Sequence, residues 1–139
     1  MTDRPNIVYI HSHDTGRYIQ PYGYPVDTPR LQAFAEQGAL FRKAFCAGPT
    51  CSPSRAALLS GQSPHNAGML GLAHRGFCQM DFSRHIQHVL GEHGYETALS
   101  GMQHVADWRK QEPAYQQIGY DMDLGEWAEG RCRKWILGD

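Results

Sequence analysis

The amino-acid sequence predicts an α/β protein, a mostly parallel sheet flanked by helices. Short apolar runs of strand length alternate with segments of helical pattern, which is the order of a parallel sheet with helical crossovers. The first run, Asn6-Ile7-Val8-Tyr9-Ile10, is apolar and β-branched without alternation, as in strands buried on both faces. Polar clusters follow the runs, at the strand ends where open α/β sheets bind their ligands.

Each element has its local reason. The Asn6–Ile10 strand ends in the loop His11-Ser12-His13-Asp14-Thr15-Gly16. A Gly-, Pro- and Tyr-rich loop covers 18–25. Thr28 then caps a helix over 30–36, with Pro29 in its first position and Gly38 after its end. Residues 39–45 read as a second short strand that delivers the chain to Cys51. From there Pro53 suits a first helical turn, Cys51 or Ser52 would cap it, and Ala56-Ala57-Leu58-Leu59 carry the helix to a stop at Gly61. A glycine- and histidine-rich loop spans 62–76. A helix is expected over 83–93, with Ile86, Val89 and Leu90 on its buried face and Gly94 closing it. Residues 95–100 form a further buried strand, with Gly101-Met102-Gln103-His104 at its end. The stretch 106–139 is aromatic-rich and weakly periodic, and the sequence assigns it nothing firm.

The 139 residues are enough for one domain with a real core, and no internal repeat divides them. A net charge of -1 gives no footprint for nucleic acid or for an anionic membrane surface. No apolar stretch approaches membrane-spanning length, and no leader-like apolar region precedes the first strand, so the expected location is cytoplasmic. The four cysteines, Cys46, Cys51, Cys78 and Cys132, show no CxxC or zinc-ribbon spacing and read as reduced thiols.

The chemistry concentrates in Cys51-Ser52-Pro53-Ser54-Arg55, followed by Leu59-Ser60-Gly61. A helix N-terminus offers backbone N–H groups and a positive dipole end, which suits an anion at residue 51. Arg55, one turn on, points a forked cation toward the same spot. A lone cysteine beside a helix is ordinarily structural, but the complete pattern C-x-P-S-R-x-x-x-L-[ST]-G resembles the signature of the sulfatase family. The resemblance implies an alkaline-phosphatase-like fold and a cysteine oxidised to formylglycine by a dedicated installing enzyme. The hydrated aldehyde at Cys51 would attack sulfur while also touching a divalent metal, and Arg55 would hold the sulfate. The family's strand of the form N-I-x-x-I leads to paired aspartates that bind the metal, usually calcium. This chain has His13 and Asp14 there. Asp14 matches, whereas His13 brings an imidazole, which suits zinc, manganese or iron better than calcium. The family's G-K-x-H corresponds to Gly101-Met102-Gln103-His104. His104 is retained as substrate contact and general acid, and Met102 replaces the lysine, a loss that Arg75 or Arg109 could offset.

Thr28-Pro29-x-Leu31, Phe41-Arg42-x-Ala44-Phe45 and 63–69 also resemble sulfatase segments, the last those of heparan N-sulfatase-like members. The resemblance covers about 5 to 105. Family members run to several hundred residues and carry further metal and sulfate ligands in their second half. The chain is therefore expected to be the N-terminal part of a sulfatase catalytic domain, 1–139, with weak metal binding and little turnover of its own, and with an open sheet edge that favours self-association. The substrate class is a small sulfated molecule, as ester or sulfamate. The alternatives are a phosphonate or phosphate monoester hydrolase of the same superfamily and an inactive anion- or metal-binding module.

Overall fold

The computed structural model describes residues 4–79, 81–106 and 113–125. The chain divides into two compact units, Met1–Ala44 and Phe45–Asp139. Among the described residues no helix is long and apolar enough to cross a membrane.

The first unit is built around α1 (Pro29–Gln37), preceded by a single 3₁₀ turn, Gln20–Tyr22. Thr28 occupies the N-cap and Pro29 the first helical position, as their chemistry predicts. The Thr28 hydroxyl does not cap the helix, however, because it accepts the N–H of Gln20 at 3.0 Å while the Gln20 side-chain oxygen accepts the N–H of Thr28 at 3.3 Å. This reciprocal pair closes the tyrosine-rich loop onto the helix start. Gln32 donates to Glu36 at 2.7 Å, one turn along the exposed face.

Two predicted strands are absent from this region. Asn6–Ile10 is extended in sequence pattern only: it carries no strand, and Val8 and Ile10 are 80% and 89% exposed. A strand needs a hydrogen-bonded neighbour, and apolar β-branched residues cannot supply one by themselves. Residues 39–45 turn at Arg42-Lys43 instead of extending, and the Phe41 carbonyl is taken by the Tyr22 hydroxyl at 3.1 Å.

In the second unit come α2 (Cys51–Ser60), a 3₁₀ turn at Ala73–Arg75, α3 (Ile86–Glu92), β1 (Ala98–Leu99), α4 (Ala114–Gln117) and β2 (Met122–Asp123). The strands pair in parallel, with Ala98 opposite Met122 and Leu99 opposite Asp123, and α4 lies in the crossover between them. The α/β class and the parallel pairing hold, although the sheet is limited to this two-stranded ribbon among the described residues. The strand predicted over 95–100 shrinks to two residues because Thr97, just before it, bonds to a side chain. Asp121 Oδ2 accepts both the backbone N–H of Thr97 at 2.7 Å and its hydroxyl at 2.9 Å.

The core comprises Ala56 from α2, Ala67, Met69 and Ala73 from the glycine-rich segment, then Val105, Ala106 and Ile118. So the segment 62–76, read from sequence as a loop, contributes three core residues. Its turns are closed by Ala67 N–H to Ser63 O at 2.9 Å and Met69 N–H to Pro64 O at 3.0 Å.

The α3 helix is shorter than predicted and turned over. Asp81 Oδ1 accepts the N–H of Ser83 at 2.8 Å, a local bond that competes with helix formation and delays the start to Ile86. Buried His85 anchors that start, its Nδ1 3.3 Å from the Ile118 carbonyl and its Nε2 3.0 Å from Gln79 Oε1. With His85 inward, Ile86 and Val89 face solvent and Gln87 is buried, so of the predicted face Leu90 alone is half-buried. The stop is as predicted. Gly94 at φ 77° lets its N–H reach the Gly91 carbonyl at 2.8 Å, and Tyr95 N–H reaches Leu90 O at 3.0 Å, a Schellman closure.

The Thr97–Asp121 clamp makes stability depend on acid. The Thr97 backbone N–H, and after it the Thr97 hydroxyl, hold the Asp121 carboxyl below the usual carboxylate range. A lowered folded-state value means the contribution is full above the ordinary carboxylate pKa, about 3.9, and disappears as pH falls through the lower folded value. Asp121→Asn is expected to be less stable than wild type at pH 7, with the gap closing as pH drops below about 4. Urea unfolding of both forms at pH 7 and at successive acid pH values measures it. A gap independent of pH would remove the carboxylate from the account.

Candidate active site

The signature cysteine sits where α2 begins. Thr50, extended at φ -120° and ψ 157°, is the N-cap, so the predicted cap at Cys51 or Ser52 is displaced by one or two residues and Cys51 is the first helical residue. The reason is backbone geometry: Ser54 N–H already bonds to Thr50 O at 3.1 Å, which makes Thr50 the last residue outside the helix. Pro53 falls in the first turn, where a missing N–H costs no intrahelical bond. Gly61 closes α2 in the left-handed region at φ 65°. Cys51 is half-buried, and Cys46 and Cys78 are free thiols; Cys132 lies outside the described residues.

Two long-range hydrogen bonds hold the first turn of α2. Ser52, fully buried, accepts the backbone N–H of Ala73 at 3.0 Å. Arg55 Nη1 donates to the Met102 carbonyl at 2.8 Å. The first bond draws the turn 73–75 to α2 and the second draws in the turn 101–104, two segments remote from the helix in sequence. Gln103 sets the second turn by accepting the N–H of Ala106 at 2.8 Å and donating to its carbonyl at 3.1 Å. His104 then takes a left-handed conformation, φ 51°, that a non-glycine residue adopts only when its surroundings impose it.

His104 does not stand alone in this turn. His74 Nδ1 lies 3.0 Å from His104 Nε2. The ring centroids are 5.2 Å apart with planes 8° from parallel. The rings are thus nearly parallel, with their facing nitrogens at the distance of an N–H···N bond. Sequence reasoning missed His74. Its only mark was a histidine among the glycines of 62–76, which distinguishes no role. Met102 is 55% exposed, an apolar side chain beside the bond that its own carbonyl makes to Arg55.

The sulfatase family model matches residues 5–132, nearly the whole chain. The chain belongs to the sulfatase family. The match runs past the stretch 5–105 in which the resemblance is visible by eye. Among curated relatives, the human N-sulphoglucosamine sulphohydrolase is 40% identical over 82 residues, 58% of this chain and 16% of that protein. An arylsulfatase of Klebsiella aerogenes is 41% identical over 71 residues, 50% of this chain and 15% of its own length. An ulvan-active sulfatase of Formosa agariphila is 35% identical over 118 residues, 84% of this chain and 22% of that protein. The chain thus spans less than a quarter of these relatives. No solved structure matches it significantly.

The sulfatase family generally works with formylglycine and a divalent metal. In this chain the expected metal residues belong to the first unit. His13 Nδ1 is 2.9 Å from Asp14 Oδ2, with side chains 54% and 89% exposed, so the ion pair adds little to stability. Asp14 itself is left-handed at φ 55°. Among the described residues no group of three or more His, Cys, Asp or Glu side chains could hold a metal ion. Calcium takes six to eight oxygens, and one carboxylate beside one imidazole falls well short of that. These residues do not by themselves fit the ion. Of the two arginines that could offset Met102, Arg75 is exposed and follows His74 in the same turn; Arg109 lies outside the described residues.

The Ser52–Ala73 bond is the test of how the site is assembled. Ser52→Ala would leave the Ala73 N–H buried and without its acceptor, at a cost of about 1–3 kcal/mol. Thermal unfolding should show that loss, and Ser52→Thr, which keeps the hydroxyl, should lose less unless its extra methyl clashes. An unchanged Ser52→Ala midpoint would mean the two segments are held by something else.

Proposed function

We propose that this chain carries the nucleophile-bearing part of a sulfuric ester or sulfamate hydrolase, the N-terminal part of a sulfatase catalytic domain. The observation that carries the reading is the position of Cys51: first residue of α2, in a complete sulfatase signature, with Arg55 one turn on and bonded to the turn that bears His104. Oxidised to formylglycine, position 51 supplies a hydrated aldehyde whose hydroxyl attacks sulfur. The rest is the work of this chain's own residues. The α2 N-terminus turns its positive end toward the anion. The Arg55 guanidinium has five N–H donors and is oriented by the Met102 carbonyl, so its fork is fixed before a sulfate arrives. His104 hands a proton to the leaving alcohol or amine. His13 and Asp14 are this chain's share of a larger metal set, for which calcium is the first candidate and the imidazole admits other divalent ions.

The partners that go with this reading are a small sulfated substrate and the enzyme that installs formylglycine, in a cytoplasmic setting, with neither nucleic acid nor membrane. Self-association through exposed apolar segments belongs to the same proposal. A second reading, an inactive anion-binding module, is favoured by one observation: Met102 stands where the sulfatase lysine would be.

Two experiments decide between them. Peptide mass spectrometry over 44–55, on protein from its native host, should find the Cys51 thiol replaced by an aldehyde. Finding only cysteine, in a host that modifies other sulfatases, would sink the catalytic reading. In a modified and turning-over protein, Met102→Lys should raise kcat/KM on an aryl sulfate, by up to the roughly hundredfold that one group at a developing charge is worth. A drop in kcat/KM would mean that the methionine serves the native reaction.

A further inference from the structure

We propose that His74 is a positioning residue for His104, and that the two imidazoles together form an anion-binding unit in the place vacated by the missing lysine. The inference rests on the sulfatase reading of this site for its ligand, an oxyanion such as sulfate, but its geometry stands apart from that reading.

Three features converge. The rings are nearly parallel, with Nδ1 and Nε2 facing each other at 3.0 Å. An N–H···N bond requires one nitrogen to carry hydrogen and the other its lone pair, so each ring dictates the tautomer of the other. Next, both histidines are tethered to the same helical turn by different bonds. His74 follows Ala73, whose N–H is held by Ser52; His104 lies two residues beyond Met102, whose carbonyl is held by Arg55. Each tether ends beside Cys51, one on the next residue and one a turn away. Finally, His104 occupies a left-handed backbone that Gln103 braces from the other side. A ring held by its backbone, by its tautomer and by a nearly parallel neighbour has little rotamer freedom left to lose when a ligand binds.

The chemical consequence follows from charge. A lysine would place a fixed cation beside the sulfate. Here the side chain at 102 is apolar and exposed. Two bonded imidazoles can share one added proton between them, which sets a charge spread over two rings where the lysine would set a single point charge. His74 thus contributes by holding and polarising His104, through a bond between positions thirty residues apart.

The test uses the full-length protein, with inorganic sulfate as the probe and two substitutions at one position. His74→Phe keeps a flat ring but no nitrogen; His74→Gln keeps a hydrogen-bonding amide but no charge. Imidazole ¹⁵N spectra should show a single tautomer for His104 in wild type and in His74→Gln, and a mixture in His74→Phe. Sulfate, titrated against the same signals, should bind about two- to fivefold more weakly to both variants, the worth of one exposed charge. On an aryl sulfate, kcat should fall in His74→Phe and recover in part in His74→Gln. Unaltered His104 signals in His74→Phe, or wild-type sulfate affinity in both variants, would overturn the proposal. Absence of formylglycine or of turnover would count against the sulfatase reading alone, since the spectra and the sulfate titration need neither.

Discussion

The first turn of α2 is the point on which the second unit depends. Its residues alternate between a structural and a chemical duty. Cys51 and Arg55 are the candidate reactive and anion-holding residues, while Ser52, between them and fully buried, binds the backbone of a segment over twenty residues downstream. The same helix then buries Ala56 and Ala57 against the core. Because the small side chains of α2 allow close approach, the glycine-rich segment can lie against the helix and deliver Ala67, Met69 and Ala73 to that core. Arg55 makes the complementary attachment to the Met102 carbonyl. A charge-assisted bond to a carbonyl stabilises more than a neutral one, and here it also settles where the guanidinium points. Positioning the reactive residue and folding the unit are therefore one and the same set of contacts.

Local chemistry was legible in the sequence, and pairing was not. Thr28-Pro29 marked the start of α1, Pro53 and Gly61 bracketed α2, and Gly94 marked the close of α3, since each acts through its own backbone within a few residues. Asn6–Ile10 and 39–45 failed as strands because a ladder needs a second strand, which no local pattern provides. The face of α3 was misread for a related reason. Apolar periodicity placed Ile86 and Val89 inward, but His85 is the residue that finds partners, in Ile118 and Gln79, and a satisfied buried imidazole decided the rotation of the helix. Cys51, Arg55 and His104 were marked as candidates by the signature and its spacing. His74 was not, because its significance lies in a contact across thirty positions.

The first unit shows how much of a sulfatase's apolar pattern can lie uncovered. Ile7, Val8, Tyr9, Ile10 and Phe34 are all more than half exposed, and Pro21 is the buried residue of its 3₁₀ turn. Hydrophobic burial is the main favourable term in folding. What holds this unit is instead a small set of polar closures: the Gln20–Thr28 exchange and the Tyr22–Phe41 bond. Bonds of that kind each contribute little net stability in water, and the Tyr18–Tyr24 ring contact adds to them. Its two candidate metal residues, His13 and Asp14, share that setting, and their mutual contact is too exposed to stiffen them.

The two departures from the family pattern, His13 for an aspartate and Met102 for a lysine, have opposite electrostatic signs. The first removes a formal negative charge from the first unit, and the second removes a formal positive charge from the second unit. The formal charge of the chain is therefore the same with both replacements as with neither. In each unit an imidazole stands near the change: His13 itself in the first, and in the second the bonded pair of His74 with His104, two residues beyond Met102. An imidazole can present either a lone pair or an N–H, whereas a carboxylate only accepts and an ammonium only donates, so both changes exchange a group of fixed hydrogen-bonding sense for one of either sense.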